Sequence, residues 1–262
     1  MTAPLARPTL AQVVTRHSAA CAERFGLSPS QRKVCRAITA CRTAALGGQV
    51  QACEDCGSLR YVYHSCRNRH CPRCQTRAKE RWIDARVSEL LPVPYFHLVF
   101  TLPHGLHRLL PQQSRWVYDT LFRCASQTLL AFGRDPSRLN GTLGITLVLH
   151  TWAQDLSRHI HVHGVVTGGA LAANGHWTGS RQSFLFPVRA LSKMFRGKYL
   201  DALCRAHQAG VFGDSDWTQS DAQWSAFVDE LRKPDWVVYA KPPFGGPEQV
   251  IAYLGRYTHR IA

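Results

Sequence analysis

The sequence predicts an α+β fold: helices at the N-terminus, a small cysteine-rich module after them, and a larger sheet domain. Three observations predict it. Five of the ten cysteines crowd between Cys53 and Cys74, in a stretch with little apolar periodicity. Past Pro92 and Pro94 the apolar spacing alternates between a strand period of two and a helical period near 3.6. The strand-like runs there are too often joined by turns for a purely parallel sheet.

Residues 1–45 read as helical, with Ser28-Pro29-Ser30 setting a helix start before Gln31 and a stop near Gly47-Gly48. The segment to Gln75 lacks an apolar core of its own, so a metal must substitute for one. Thr76 to Leu91 is helical again (Trp82, Ile83, Val87, Leu90, Leu91) and ends before the proline pair, which marks a boundary. The division is therefore 1–45 helical, 46–92 cysteine module with its connecting helix, and 93–262 sheet domain. In the last, Tyr95 to Leu102 is strand-like and Trp116 to Phe132 helical. Strands follow at Gly144 to Trp152 and His159 to Thr167, and Asn174-Gly175 turns the chain into a strand around Gln182 to Phe186. Pro187 to Gln208 is a basic amphipathic helix, Trp236 to Ala240 a short strand, and Pro247 opens a final helix after a Pro/Gly-rich loop.

The chain has 262 residues, 45% of them hydrophobic, 19% charged, with 19 Gly and 14 Pro, which excludes wholesale disorder and collagen-like repeats. It shows neither a membrane-length apolar run nor a basic-then-apolar leader, so it reads as cytosolic. With 32 Lys and Arg against 17 Asp and Glu, the net charge of +15 points to a polyanionic partner, and nucleic acid fits best.

Ten cysteines in a cytosolic chain are better explained by metal than by disulfides. Cys53-x-x-Cys56 and Cys71-Pro-Arg-Cys74 are two knuckles, and together they make the four-sulfur shell of one closed structural Zn2+ site. Cys66 and His70, or His64, are the alternatives for a replaced ligand or a second ion. Cys21, Cys35, Cys41, Cys124 and Cys204 read as small core residues. Arg60, Arg67, Arg69, Arg73 and Arg77 lie in or beside the cluster and form a candidate DNA-reading face, the alternative being a solvated basic surface.

In His159-Ile160-His161-Val162-His163 imidazoles alternate with β-branched residues, so on a strand all three rings leave one face. Neighbouring imidazoles with open coordination positions suit a divalent cation that polarises an oxygen. Downstream, Tyr253 and Tyr257 are four residues apart, one turn apart on one face of a helix. Such a pair is most often packing. Arg256 and Arg260 beside it supply charge to hold a phosphate and to favour a phenolate.

These residues resemble a known family, the HUH endonucleases, and within it the two-tyrosine rolling-circle transposases of the IS 91 family. The resemblance runs from Ser65-Cys66-Arg67-Asn68-Arg69-His70-Cys71-Pro72-Arg73-Cys74-Gln75 through Leu91-Pro92-Val93-Pro94-Tyr95-Phe96-His97 and His161-Val162-His163. It ends in the segment from Trp236 to Pro247 and the tyrosine pair. It implies a central antiparallel sheet flanked by helices and preceded by a zinc-binding module. It also implies tyrosine nucleophiles at Tyr253 and Tyr257, a Mg2+ or Mn2+ ion held by His161 and His163, and single-stranded DNA as substrate, cleaved through a 5′-phosphotyrosine. For the third metal ligand Gln249 and His159 rank equal, with Glu248 and His150 behind them. Lys241 is a candidate phosphate contact. Family members continue past the position of Ala262, which makes this chain a candidate C-terminal truncation. The competing functions are a replication initiator or relaxase using the same motifs, and a non-catalytic, zinc-dependent DNA-binding remnant.

Overall fold

The computed structural model describes residues 8–258 except 154, 156, 182–184, 214–217, 219 and 243–245; the Tyr257 side chain is outside that set. The chain forms two compact units, one of residues up to Ala85 with those from Gly255, the other Arg86–Leu254.

In the first unit, helices α1 (Leu10–Phe25) and α2 (Pro29–Ala40) pack on each other. Each starts with a capping box, Thr9 with Gln12 and Ser28 with Gln31, in which side chain and backbone satisfy one another's amides. The helix start read at Ser28 is thus made by that serine. Strands β1 (Gly48–Ala52) and β2 (Leu59–Tyr63) then form an antiparallel hairpin where the sequence reading placed no strand. Nine of its ten residues are exposed, Val62 excepted, although Val50, Ala52, Leu59 and Tyr61 alternate with Gln49, Gln51 and Arg60 at the strand period. Helix α3 (Pro72–Ser88) follows, beginning ahead of the expected Thr76.

The second unit holds a four-stranded sheet of β3 (Tyr95–Thr101), β4 (Ile145–Trp152), β5 (Arg158–Thr167) and β8 (Val238–Lys241), in the order β4-β5-β3-β8. All three pairings are antiparallel. Strand period two divides β5 and β3 between two faces. Leu98, Phe100, Ile160, Val162 and Val166 are completely buried in the core with residues of α4 (Leu110–Arg134) and α5 (Val188–Gln208). There the Tyr199 hydroxyl, a polar group that burial would otherwise strand, donates to the Val117 carbonyl at 3.2 Å. Helix α5 and the sheet match the sequence reading to within a few residues, whereas α4 begins at Leu110, well ahead of the expected Trp116.

A small hairpin of β6 (Gly169–Leu171) and β7 (Trp177–Gly179) turns at Gly175, whose φ of 81° needs a glycine. Its second strand lies before the expected Gln182–Phe186 run, of which 182–184 fall outside the described residues. Helix α6 (Asp221–Arg232), capped by Ser220, was not anticipated. Helix α7 (Pro247–Thr258) starts at its proline as expected. No helix among the described residues is long and apolar enough to cross a membrane.

Candidate active site and metal cluster

The face of the sheet opposite the core carries imidazoles. Register puts His161 of β5 beside His150 of β4 and Thr101 of β3, and His163 beside Val148 and Val99. On β3, His97 falls opposite Val165 of β5 and Lys241 of β8. Because directly paired residues share a face, four histidines from three strands meet there. The ligating nitrogens of His150, His161 and His163 lie within 4.8 Å of one another, all three residues buried.

The hydrogen bonds among these rings form a chain. His161 Nδ1–H donates to the His159 carbonyl at 3.0 Å, leaving its Nε2 as a lone pair. That Nε2 is 3.1 Å from His163 Nε2, and His163 Nδ1 is 2.8 Å from His97 Nε2. Neutral rings satisfy every contact if His97 donates to His163 and His163 donates to His161. Neutral they are: burial is the leading cause that lowers His150 and His161 to about 4 and His163, also facing His150, His161 and His97, to about 2. Burial lowers His97 as well. Three uncharged imidazoles with nitrogens converging on one point are a donor set that fits a divalent cation.

The Tyr253 ring stands edge-on to His163, centroids 6.2 Å apart, and is 39% exposed. Next to it a cavity of about 740 Å3 is lined by His97, Tyr239, Lys241, Gln249 and Tyr253, among others. The Lys241 ammonium lies 5.4 Å from the Tyr239 ring centroid. The partly exposed Tyr253, Lys241 and His97 thus line one depression, and His97 joins it to the imidazole cluster through His163.

One expectation for the third member of the histidine group, His159, is corrected. The His159 ring is not in the group; that residue enters through its backbone carbonyl. Gln249 lines the neighbouring cavity, and His150, a further candidate for the third ligand, is brought opposite His161 by the β4–β5 register. His97 was missed altogether. Its signal was a histidine at an alternate position of an otherwise apolar strand. Tyr257 belongs to α7 by its backbone, Arg256 is exposed, and Arg260 lies outside the described residues, as does much of the loop before Pro247.

The cysteine cluster is also corrected. Cys41, Cys66, Cys71 and Cys74 bring their sulfurs within 4.8 Å of one another, with the Cys74 sulfur 3.6 Å from those of both Cys41 and Cys66. Cys53 and Cys56 are outside this group, exposed in the turn of the β1–β2 hairpin. The physical reason is that a hairpin carries its turn away from its base. Its base is where Cys41, just after α2, and Cys66, just after β2, flank the Cys71/Cys74 knuckle. Four convergent thiols are a closed tetrahedral set for Zn2+. Burial pushes the Cys66 thiol up to about 12 without a cation, a preference that a bound divalent ion inverts. Around the cluster, Ile38 with Ala11, Val14 and Val34 makes the unit's small core. Of the basic residues, Arg73 donates to the Cys41 carbonyl at 3.4 Å, and Arg67 and Arg69 are exposed.

Fold and sites define an α+β protein with a four-cysteine metal-binding module and a sheet-borne histidine cluster. Family comparison agrees with that class: residues 13–102 match the family "Transposase zinc-binding domain" and residues 144–262 the family "Putative transposase". The chain is 45% identical over 260 residues to "Putative transposase y4qJ" of Sinorhizobium fredii, covering 97% of this chain and 65% of that one. It is 29% identical over 249 residues to "Transposase for insertion sequence element IS801" of Pseudomonas savastanoi pv. phaseolicola, covering 91% and 57%. Among solved structures, a conjugative relaxase in complex with oriT DNA matches with a TM-score of 0.32 and 12% identity over 62% of this chain and 68% of that one. Taken together, these matches support an IS 91-family transposase with an N-terminal zinc-binding domain. It spans less than two thirds of the length of either curated relative.

Proposed function

We propose that this chain cleaves and rejoins single-stranded DNA at the ends of an insertion sequence, through a 5′-phosphotyrosine intermediate. The observation that carries the reading is the Tyr253 ring, 6.2 Å from the ring of His163 in the buried histidine cluster. A nucleophilic phenol and a cation site within reach of one phosphate are what the chemistry needs.

His150, His161 and His163 hold the divalent ion, Mg2+ or Mn2+, which when bound polarises the scissile phosphate. Tyr253 or Tyr257 gives up its phenolic proton to solvent and attacks phosphorus. The P–O3′ bond breaks, the 3′ oxygen gains a proton, and the strand leaves as a free 3′-hydroxyl. One phosphate ester replaces another, so a 3′-hydroxyl can reverse the step without a nucleotide cofactor. Lys241 and Arg256 neutralise phosphate charge, with Arg260 in the same role. The zinc module, with Arg67, Arg69 and Arg73, adds affinity for the DNA backbone.

The test is incubation with a single-stranded oligonucleotide from the element end and Mg2+ or Mn2+, followed by denaturing electrophoresis. A covalent protein–DNA adduct is expected, and the double variant Tyr253→Phe/Tyr257→Phe should form none. An adduct in that variant overturns the nucleophile assignment. DNA binding without any adduct leaves a zinc-dependent binding remnant.

A further inference from the structure

We propose that a groove along β2 of the zinc module is a docking site for single-stranded DNA, separate from the histidine–tyrosine centre. This rests on the reading above that the chain acts on single strands.

The hairpin has two unlike faces. Direct partners across it are Gly48 with Tyr63, Val50 with Tyr61, and Ala52 with Leu59, so these six share one face, and every large apolar side chain on it is exposed. Tyr61 is 63% exposed and Tyr63 41%. Two strands with an uncovered apolar face gain little stability from it, so the face is built for an occupant. Next to it lies a groove of about 910 Å3, lined by both tyrosines and by Arg42, Arg60, Arg67 and Arg77. Among the described residues no carboxylate lines it, and none of these four guanidiniums has an ion pair.

Two of those arginines sit where the backbone resists them. Arg42 (φ 58°) and Arg67 (φ 50°) are left-handed, a region that glycine or asparagine enters more readily. Each directly follows a clustered cysteine, Cys41 and Cys66, where the chain turns away from the sulfur. The turns explain the dihedral angles and not the residue type. An arginine in each delivers charge to the groove at a local conformational cost.

Charge selects a polyanion, and the tyrosines select its form. Tyr61 and Tyr63 are two residues apart on one strand, about 7 Å, and are exposed aromatic rings on which unpaired bases can stack. Bases inside a duplex are already stacked and offer no such face. Converging guanidiniums bind the phosphates between.

The experiment measures binding of a fluorescein-labelled oligothymidylate to the full zinc-loaded chain by anisotropy, without Mg2+ or Mn2+ and across a salt series. Tyr61→Ala and Tyr63→Ala should each weaken binding about tenfold, and Tyr61→Phe should restore it. Arg60→Gln and Arg67→Gln should each lower the slope of log affinity against log salt by about 0.7. Zinc content is measured alongside, so that loss of the fold is recognised. Alanine variants with full zinc and unchanged affinity overturn the proposal. So does a duplex probe that depends on the tyrosines to the same degree, or a change of oligomeric state in the variants with DNA affinity intact. The adduct assay separates the two readings. Adducts with no dependence on the hairpin sink only the docking site, and hairpin-dependent binding without adducts sinks only the strand-transfer reading.

Discussion

His97 Nε2 and His163 Nδ1 are 2.8 Å apart, their rings nearly parallel at 6° with centroids separated by 5.1 Å. His97 therefore sets the ring plane of His163 and partners its Nδ1 in either tautomer. With a cation on Nε2, His163 must carry its proton on Nδ1 and donate it, so His97 has to accept where it otherwise donates. Only a side chain able to do both serves. Substitution His97→Phe should weaken Mn2+ binding about 10- to 100-fold in titration calorimetry, whereas His97→Gln should keep most of it. Equal affinities for the two variants would remove His97 from this role.

The cysteine assignment separates cleanly by metal analysis. After exposure to a mild chelator, Cys41→Ser and Cys66→Ser should lose their zinc and the folded cooperativity of the first unit, because a structural zinc contributes on the order of 10 kcal/mol to folding. Cys53→Ser and Cys56→Ser should retain one zinc per chain, since their thiols stand outside the four-sulfur group. The reverse pattern would restore the two-knuckle arrangement read from spacing.

Acid should destabilise the metal-free protein over a defined window. His150 and His161 titrate near 4 in the folded chain, against 6.5 for a solvated imidazole, so between those limits the unfolded state binds more protons. Their stabilising contribution is complete above about pH 6.5 and is lost as pH falls toward 4. The loss is on the order of 3 kcal/mol for each group. Thermal unfolding across that range should show it, and His150→Gln should flatten the profile. A profile unchanged by the substitution would place the pH dependence elsewhere.

Gly255 sits inside α7, where alanine is normally better by about 1 kcal/mol. A Cβ there would come 2.6 Å from Ile83 Cγ1 and 2.7 Å from Ile83 Cδ1. Gly255→Ala should therefore destabilise by about 1–3 kcal/mol in denaturant unfolding. Adding Ile83→Ala, which removes both colliding atoms, should make the Gly255→Ala change nearly neutral in that background. A stabilising single variant would show that the helix packs differently.

What the sequence disclosed follows the range of the interaction involved. His161, His163 and the Tyr253 helix were legible because strand and helix periods are local. His150 had been a weaker candidate, since its place depends on its pairing with His161 across two strands, which no spacing encodes. Cys41 read as a core cysteine for a related reason: the chain returns Cys66 beside it from 25 residues away, a proximity no local spacing encodes. Helix α6 had a readable signature, Trp224, Phe227, Val228 and Leu231 after the Ser220 cap, all four buried on one face, and was simply overlooked.

Strand β5 serves two environments at alternate positions, with Ile160 and Val162 in the hydrophobic core and His161 and His163 in the imidazole cluster on the opposite face. A single inserted or deleted residue anywhere between Arg158 and Gly164 would exchange those environments, sending imidazoles into the hydrophobic interior and aliphatic groups to the other side. The β4–β5 ladder already absorbs one irregularity between His150 and Trp152, at the margin, where a shift leaves the inner alternation undisturbed. Length changes are therefore tolerable at that outer end of the β4–β5 ladder and ruinous within its inner register.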